Sequence, residues 1–226
     1  MDCYGDYKNN VLKASLWLSE NGFFGSKRGT GGNVSMRIMG ENAMAITPSS
    51  SKYQELTVHD ICIVGFDLSL RKGKLKPSVE SGMHSIIYQQ RPDVNAIVHT
   101  HQIFGSVFAV ISEPIPALFD EVAFALGDTV DIVPYALSGT PDLAANVSGK
   151  LSNNSNAYII QNHGILALGK DLDSALLHAE LLEKVSEIYC VALSTGKKIQ
   201  TLPTHIIDMI RAIRDQEVKK GASKSI

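Results

Sequence analysis

The segment "AIVHTHQIFG", residues 96 to 105, constrains the fold of this chain more than any other. Its apolar start, Ala96, Ile97 and Val98, reads as a buried strand. Side chains along a strand alternate between faces, so His99 and His101 leave one face while Thr100 leaves the other. A core strand carrying two neighbouring imidazoles calls for a chemical reason.

Around this strand, helical and extended patterns alternate. Tyr7 to Asn21 has apolar residues at helical spacing (Val11, Leu12, Leu16, Leu18), and Asn21-Gly22 ends it. Short β-type runs follow at Val34 to Ile38, Met44 to Ile46 and Ile61 to Phe66, divided by turn-forming residues. "KPSVESGMHSIIYQQRPD" predicts a helix entered through Pro77 and Ser78 and stopped by Arg91-Pro92. "FGSVFAVIS" predicts another. "AYIIQNHGILALG", residues 157 to 169, reads as one strand broken at Asn162 to Gly164. Asp171 to Ser194 is the strongest helical pattern, and a last helix is expected from about Pro203 to Val218. No repeat or linker divides the chain, so one α/β domain over residues 1–226 is expected, with 219–226 as a flexible basic tail.

Composition narrows the function classes. The 226 residues carry a formal charge of -2, with acids and bases mixed, unlike the basic face of a nucleic-acid binder. Cys3, Cys62 and Cys190 are odd in number and lack a C-x-x-C pair, which argues against a disulfide framework or a cysteine zinc site and favours a reducing cytoplasm. No secretory leader is visible, and no window reaches the roughly 18 apolar residues of a membrane span. A cytoplasmic protein without membrane or nucleic-acid partners is expected.

Imidazoles at strand positions i and i+2 can converge on a metal ion. His163, in "QNHGI", adds a third, and Gly164 beside it relieves crowding. Three histidines without cysteine suit a catalytic zinc site that keeps a position open for substrate. A single strand histidine is more often a hydrogen-bonded core residue, and His59, His84, His178 and His205 are read as structural or surface groups. Glu80, in the first turn of its predicted helix, is either a helix-start acid or a general acid/base beside the metal. "RGTGGNVS" places Gly29, Gly31 and Gly32 around Thr30 and Asn33, where backbone N–H groups can form an anion-binding concavity; its spacing matches neither a P-loop nor a dinucleotide fingerprint. "TPSSSKY" and Ser78 add hydroxyl-bearing turns.

As an ordered set, "GTGGNVS", "ITPSS", "LKPSVE", "RPDVNAIVHTH", "IPALFDE", "VPYALSGTPDLA" and "IIQNHGILALG" resemble the class II aldolase and adducin-head family over roughly residues 8–195. The closest group is the zinc-dependent L-fuculose-phosphate aldolases. The resemblance implies a single α/β domain around a mostly antiparallel sheet flanked by helices, and a homotetramer with active sites at subunit interfaces. It places one zinc ion per chain on His99, His101 and His163, the acid/base on Glu80, and a substrate-phosphate cradle on Thr30, Gly32, Asn33, Ser49, Ser50 and Ser78. The implied reaction cleaves a ketose 1-phosphate, such as L-fuculose 1-phosphate, to dihydroxyacetone phosphate and an aldehyde through a metal-stabilised enediolate. Alternatives with the same metal site are an L-ribulose-5-phosphate 4-epimerase or a sugar-phosphate dehydratase or decarboxylase; a noncatalytic adducin-like module need not keep the histidines. The chain departs from the aldolase pattern at Val79, in place of a second serine, and at Asp120, near the position of an interface tyrosine.

Overall fold

The computed structural model describes residues 3–26 and 28–222, with side chains described up to residue 216. Among them are seven α-helices: α1 Gly5–Glu20, α2 Ser81–Gln90, α3 Ile103–Ile111, α4 Asp120–Leu126, α5 Pro141–Ser148, α6 Leu172–Ser194 and α7 Thr204–Ala222. Nine strands accompany them: β1 Asn33–Arg37, β2 Ala43–Ile46, β3 Cys62–Gly65, β4 Leu70–Lys72, β5 Ala96–Thr100, β6 Ile115–Pro116, β7 Thr129–Val133, β8 Ala157–Ile160 and β9 Gly164–Gly169. The basic tail expected at 219–226 falls partly on the backbone of α7, which runs to Ala222; residues 223–226 lie outside the described residues.

Local signals explain most of these elements. In α1 the buried Val11, Leu12, Ser15 and Leu18 recur at helical spacing, and the chain leaves through Gly22 at φ +82°. The Asp171 side chain accepts a hydrogen bond from the Ser174 amide and so caps α6. Thr140 caps α5 in the same way, with Pro141 in the first turn. Two expectations need correction. The run 157–169 is a hairpin of β8 and β9, because Asn162 takes φ +52° and the His163 amide closes the turn on the Ile160 carbonyl at 3.1 Å. Helix α2 begins at Ser81 and not at Ser78, so Glu80 sits at the cap position rather than inside the first turn.

The strands form one sheet in the order β4-β3-β2-β1-β5-β9-β8-β7-β6. Neighbours are antiparallel except β7 and β8, which run parallel. Helices cover both faces. Val34, Ala45, Val98 and Ala167 pack against α1 and the first half of α6, while Ile159 and Ile165 meet α3, α4 and the second half of α6. The opposite face, with Ile46, Ile97, Leu166 and Tyr158, lies under α2 and α5. Covering on both sides explains why the central strands are apolar throughout instead of alternating. No described helix is long and apolar enough to cross a membrane.

Strand direction brings distant segments to one edge of the sheet. The ends of β2, β5, β7 and β8 and the starts of β1 and β9 all meet there, as the pairings of β1 with β2 and β5, of β9 with β5 and β8, and of β7 with β8 require. The residues singled out above for metal or phosphate binding lie on these ends or on the loops leaving them, except Ser78, whose segment before α2 is brought alongside by the Pro48–Pro77 bridge.

Candidate metal centre

Residue His99 is the penultimate residue of β5, fully buried, and pairs across the sheet with Asn33 of β1 and Leu166 of β9. Its face is the one under α2. Thr100 points the other way, donating to Gln102 Oε1 at 2.7 Å, and Gln102 Nε2 donates to the Ala179 carbonyl of α6 at 3.0 Å. The alternation expected from the sequence is thus realised, with the strand anchored from behind. His101 follows the strand, its amide held by the Phe23 carbonyl at 2.8 Å. His163 is the turn residue between β8 and β9, not an internal strand residue.

These three rings converge. Their centroids lie 4.8–5.4 Å apart, and one nitrogen of each falls within 4.8 Å of the others. His99 Nε2 and His101 Nε2 are separated by 3.1 Å. Two glycines make this possible. A Cβ on Gly164 would stand 2.5 Å from the Thr100 carbonyl and 2.6 Å from His101 Cδ2; one on Gly31 would stand 2.8 Å from His101 Nδ1.

The carboxylate of Glu80 closes the fourth side, with Oε2 at 3.3 Å from His99 Nε2 and Oε1 at 3.3 Å from His163 Nε2. Although Glu80 occupies a helix-cap position, its side chain does not cap. Asn33 Nδ2 donates to Oε2 at 2.6 Å and Ser138 Oγ donates to Oε1 at 2.9 Å. Burial opposes ionisation of Glu80, but His99 and His163 together with these two donors hold its carboxyl at about 2. For His101 and His163, burial and the neighbouring imidazoles push the pKa down to about 3 and about 4. At neutral pH the site therefore pairs an ionised carboxylate with neutral His101 and His163.

Donor chemistry fits a divalent metal. His99 Nδ1 lies 2.8 Å from the Ile165 carbonyl, which can only accept, so Nδ1 carries the proton. With Nδ1 so committed, Nε2 is the ring nitrogen that His99 turns toward His101 and Glu80, where it can ligate an electrophile. A backbone carbonyl behind a ligating imidazole is the usual way of fixing its tautomer. Three nitrogen ligands suit zinc with a position left open.

The remaining histidines lie outside this cluster. His84 is buried with Nδ1 at 2.6 Å from Ser35 Oγ, and His178 is buried with Nδ1 at 2.6 Å from the Leu168 carbonyl; His59 and His205 are exposed.

The three predicted anion loops come together beside the site. Val34 of β1 donates its amide to Thr47 Oγ1 at 3.3 Å, and an isolated antiparallel bridge joins Pro48 to Pro77. Tyr53, stacked on Phe24, donates to the Gly32 carbonyl at 2.6 Å and ties "TPSSSKY" to the glycine loop. Gly32 has φ +70°, and a Cβ there would meet the His99 carbonyl at 2.5 Å. Thr30 and Ser50 are exposed, Ser49 is half-buried, and Ser78 is buried, accepting from the Glu80 amide at 3.2 Å. Asn33 is buried, and its amide is committed to Glu80. Sequence reading missed Tyr53 and Ser138. Tyr53 follows the serine run, and Ser138 precedes the Thr140-Pro141 helix start, which were the available signals. Val79 is half-exposed, Asp120 is exposed, and Glu121 pairs with Lys184 at 2.6 Å.

A model of the class II aldolase and adducin N-terminal domain matches residues 9–190. The chain belongs to this family. Within the class II aldolase family it is 34% identical over 194 residues to an L-fuculose phosphate aldolase of Escherichia coli, covering 86% of this chain and 83% of that one. It is 36% identical over 174 residues to a 5-deoxy-D-ribulose 1-phosphate aldolase of Bacillus thuringiensis, covering 76% and 80%. A solved structure of L-fuculose 1-phosphate aldolase superposes with a TM-score of 0.82 at 34% identity, covering 97% of this chain and 95% of the other. The expected α/β fold around a mostly antiparallel sheet is therefore the fold of this aldolase family.

Proposed function

We propose that the chain is a zinc-dependent sugar-phosphate aldolase, an aldehyde-lyase cleaving a ketose 1-phosphate such as L-fuculose 1-phosphate to dihydroxyacetone phosphate and an aldehyde. The observation that carries this reading is the convergence of His99, His101 and His163 on the carboxylate of Glu80. The Bacillus thuringiensis relative and the solved structure described above are named for ketose 1-phosphates, which supports the substrate class.

In this reading the three imidazoles hold one zinc ion, which when bound supplies Lewis acidity for oxygens that gain negative charge as the carbon–carbon bond breaks. The carboxylate of Glu80 takes up the proton that the substrate hydroxyl loses as the aldehyde forms and delivers it to the carbon released by that cleavage. Asn33 and Ser138 aim it, and their hydrogen bonds keep it ionised and ready to accept. The phosphate is held at the remote end by the Thr30 hydroxyl, the Gly32 amide and the hydroxyls of Ser49, Ser50 and Ser78, with Asn33 bordering both halves of the site. Anchoring that end fixes the reacting carbons against the metal ligands. Ile103, Val110 and Leu137, each about two-thirds exposed, support self-association, and the proposal includes a cytoplasmic homotetramer.

A screen of phosphorylated ketoses, with the aldehyde product detected by coupled reduction, tests the reading. Release of an aldehyde and dihydroxyacetone phosphate is expected. Epimerisation of a pentulose phosphate without release would transfer the same site to an L-ribulose-phosphate 4-epimerase, and inertness toward every ketose would overturn both.

A further inference from the structure

At the opposite edge of the sheet, far along the same strands from His99, the segments before β5 and β8 and after β9 border a cavity of about 310 Å³. Arg214 of α7, His178 of α6, Lys170, Asn156 and Asp93 line it.

Arg214 is only 6% exposed. Its Nη2 donates to the Asn154 carbonyl at 2.9 Å, and no carboxylate pairs with it among the described residues. Its other guanidinium donors make no hydrogen bond among the described residues, and Arg214 lines the cavity. His178 behaves alike. Its Nδ1 is committed to the Leu168 carbonyl, and its Nε2 makes no hydrogen bond among the described residues. Lys170 stands exposed at the rim.

The local charge does not balance. Arg91 is buried next to this cluster, and it takes the one lining carboxylate: Asp93 receives Arg91 Nε at 2.9 Å and Nη2 at 2.7 Å. Asp128 is occupied by Arg211 at 2.6 Å. Asp215 accepts from Asn154 Nδ2 at 3.3 Å. Ser174 Oγ is turned back onto Asp171. Two enclosed guanidinium groups thus share one enclosed carboxylate, and burying an uncompensated charge is costly. Burial lowers the pKa of Arg214, and Arg91 adds to this, while Asp128 opposes it more strongly than Arg91 contributes and Tyr158 and Asp215 oppose it weakly.

We infer that this cavity is a second anion site, distinct from the metal centre, which takes a small phosphate group between Arg214 and Lys170. A phosphate oxyanion supplies the missing negative charge, accepts from the free guanidinium donors and the lysine, and can direct its own hydroxyl at His178 Nε2. The volume admits inorganic phosphate or a small phosphate monoester.

Equilibrium dialysis of the full-length, metal-loaded protein against radiolabelled inorganic phosphate tests the site. More than one phosphate per chain is expected. Lys170→Gln, at an exposed position that folding tolerates, should weaken one class of sites about tenfold, and Arg214→Gln should remove it. Displacement of that class by glycerol phosphate would identify a monoester as ligand, and its retention would identify inorganic phosphate. The inference is overturned if wild-type protein binds no phosphate beyond the metal centre, or if Lys170→Gln binds both classes unchanged. Should Arg214→Gln fail to fold, the lysine variant alone decides.

Discussion

Because His99 Nδ1–H donates a hydrogen bond to the Ile165 carbonyl, the lone pair on His99 Nε2 faces His101 Nε2 only 3.1 Å away. Only a proton or a cation can occupy that gap without repulsion. Zinc should therefore stabilise the fold. At a free concentration about 100 times its dissociation constant it adds roughly 2.7 kcal/mol, or a rise in Tm of roughly 5–10 °C for a chain of this size. Chelation should reverse the rise. His99→Ala should lower the metal content from about one ion per chain to almost none and abolish turnover, as checked by elemental analysis and assay. Unimpaired turnover after exhaustive chelation would sink the metal mechanism.

Replacing Glu80 by Gln keeps the shape of the side chain and removes its charge. The variant should retain zinc, since the three imidazoles are untouched, while kcat falls on the order of a hundredfold or more. Metal content and kcat measured on one preparation separate the two effects.

Ser138 is expected to act through Glu80. Ser138→Ala deletes the donor to Oε1, a charge-assisted bond worth about 1.5–3 kcal/mol. The carboxyl pKa should rise, moving the acidic limb of the pH–rate profile upward. A fall in kcat of roughly tenfold with little change in KM should accompany it, and Ser138→Thr should recover part of the loss.

The histidines set the acid limit of the metal-free protein. His101 and His163 stay neutral in the fold down to about 3 and about 4, whereas an unfolded histidine takes up a proton near pH 6.5. Below that pH the unfolded chain binds more protons, so stability is full above about 6.5 and declines as pH falls toward 4. Thermal denaturation of chelated protein between pH 8 and pH 4 should show this slope. His163→Asn should flatten it.

Gly164 is predicted to be intolerant. Gly164→Ala drives a methyl into the Thr100 carbonyl and the His101 ring, costing about 1–3 kcal/mol. Zinc affinity should drop tenfold or more as the rings are pushed apart, whereas Gly5→Ala, which meets nothing, should leave both unchanged. Melting curves and competitive chelation report the two quantities.

How much of this was legible in the sequence depended on the range of the signal. His99 and His101 were legible because strand alternation is local. His163 was legible as a residue beside a permissive glycine, but its placement in a turn was not, because an apolar run of 13 residues hides a hairpin unless the left-handed residue Asn162 is recognised. The short α4 and the two-residue β6 carry too few residues for periodicity to show. Ser138 was out of reach for another reason: its partner lies 58 positions away, and nothing local records that contact.

Among the described strands, β7 and β8 are the one pair that runs in the same direction. A chain making such a step must travel back beside the sheet before re-entering it, and Ser138 rides on the outward end of that detour. The proposed metal ligands lie at the end of β5, just after it, and in the β8–β9 turn, while one of the two groups that hold the proposed proton carrier, Glu80, belongs to the detour. In the proposed reading, the imidazoles and the hydroxyl that holds Glu80 are thereby carried on separate stretches of backbone, so a change in the detour would reach Glu80 through Ser138 while leaving the three rings in place.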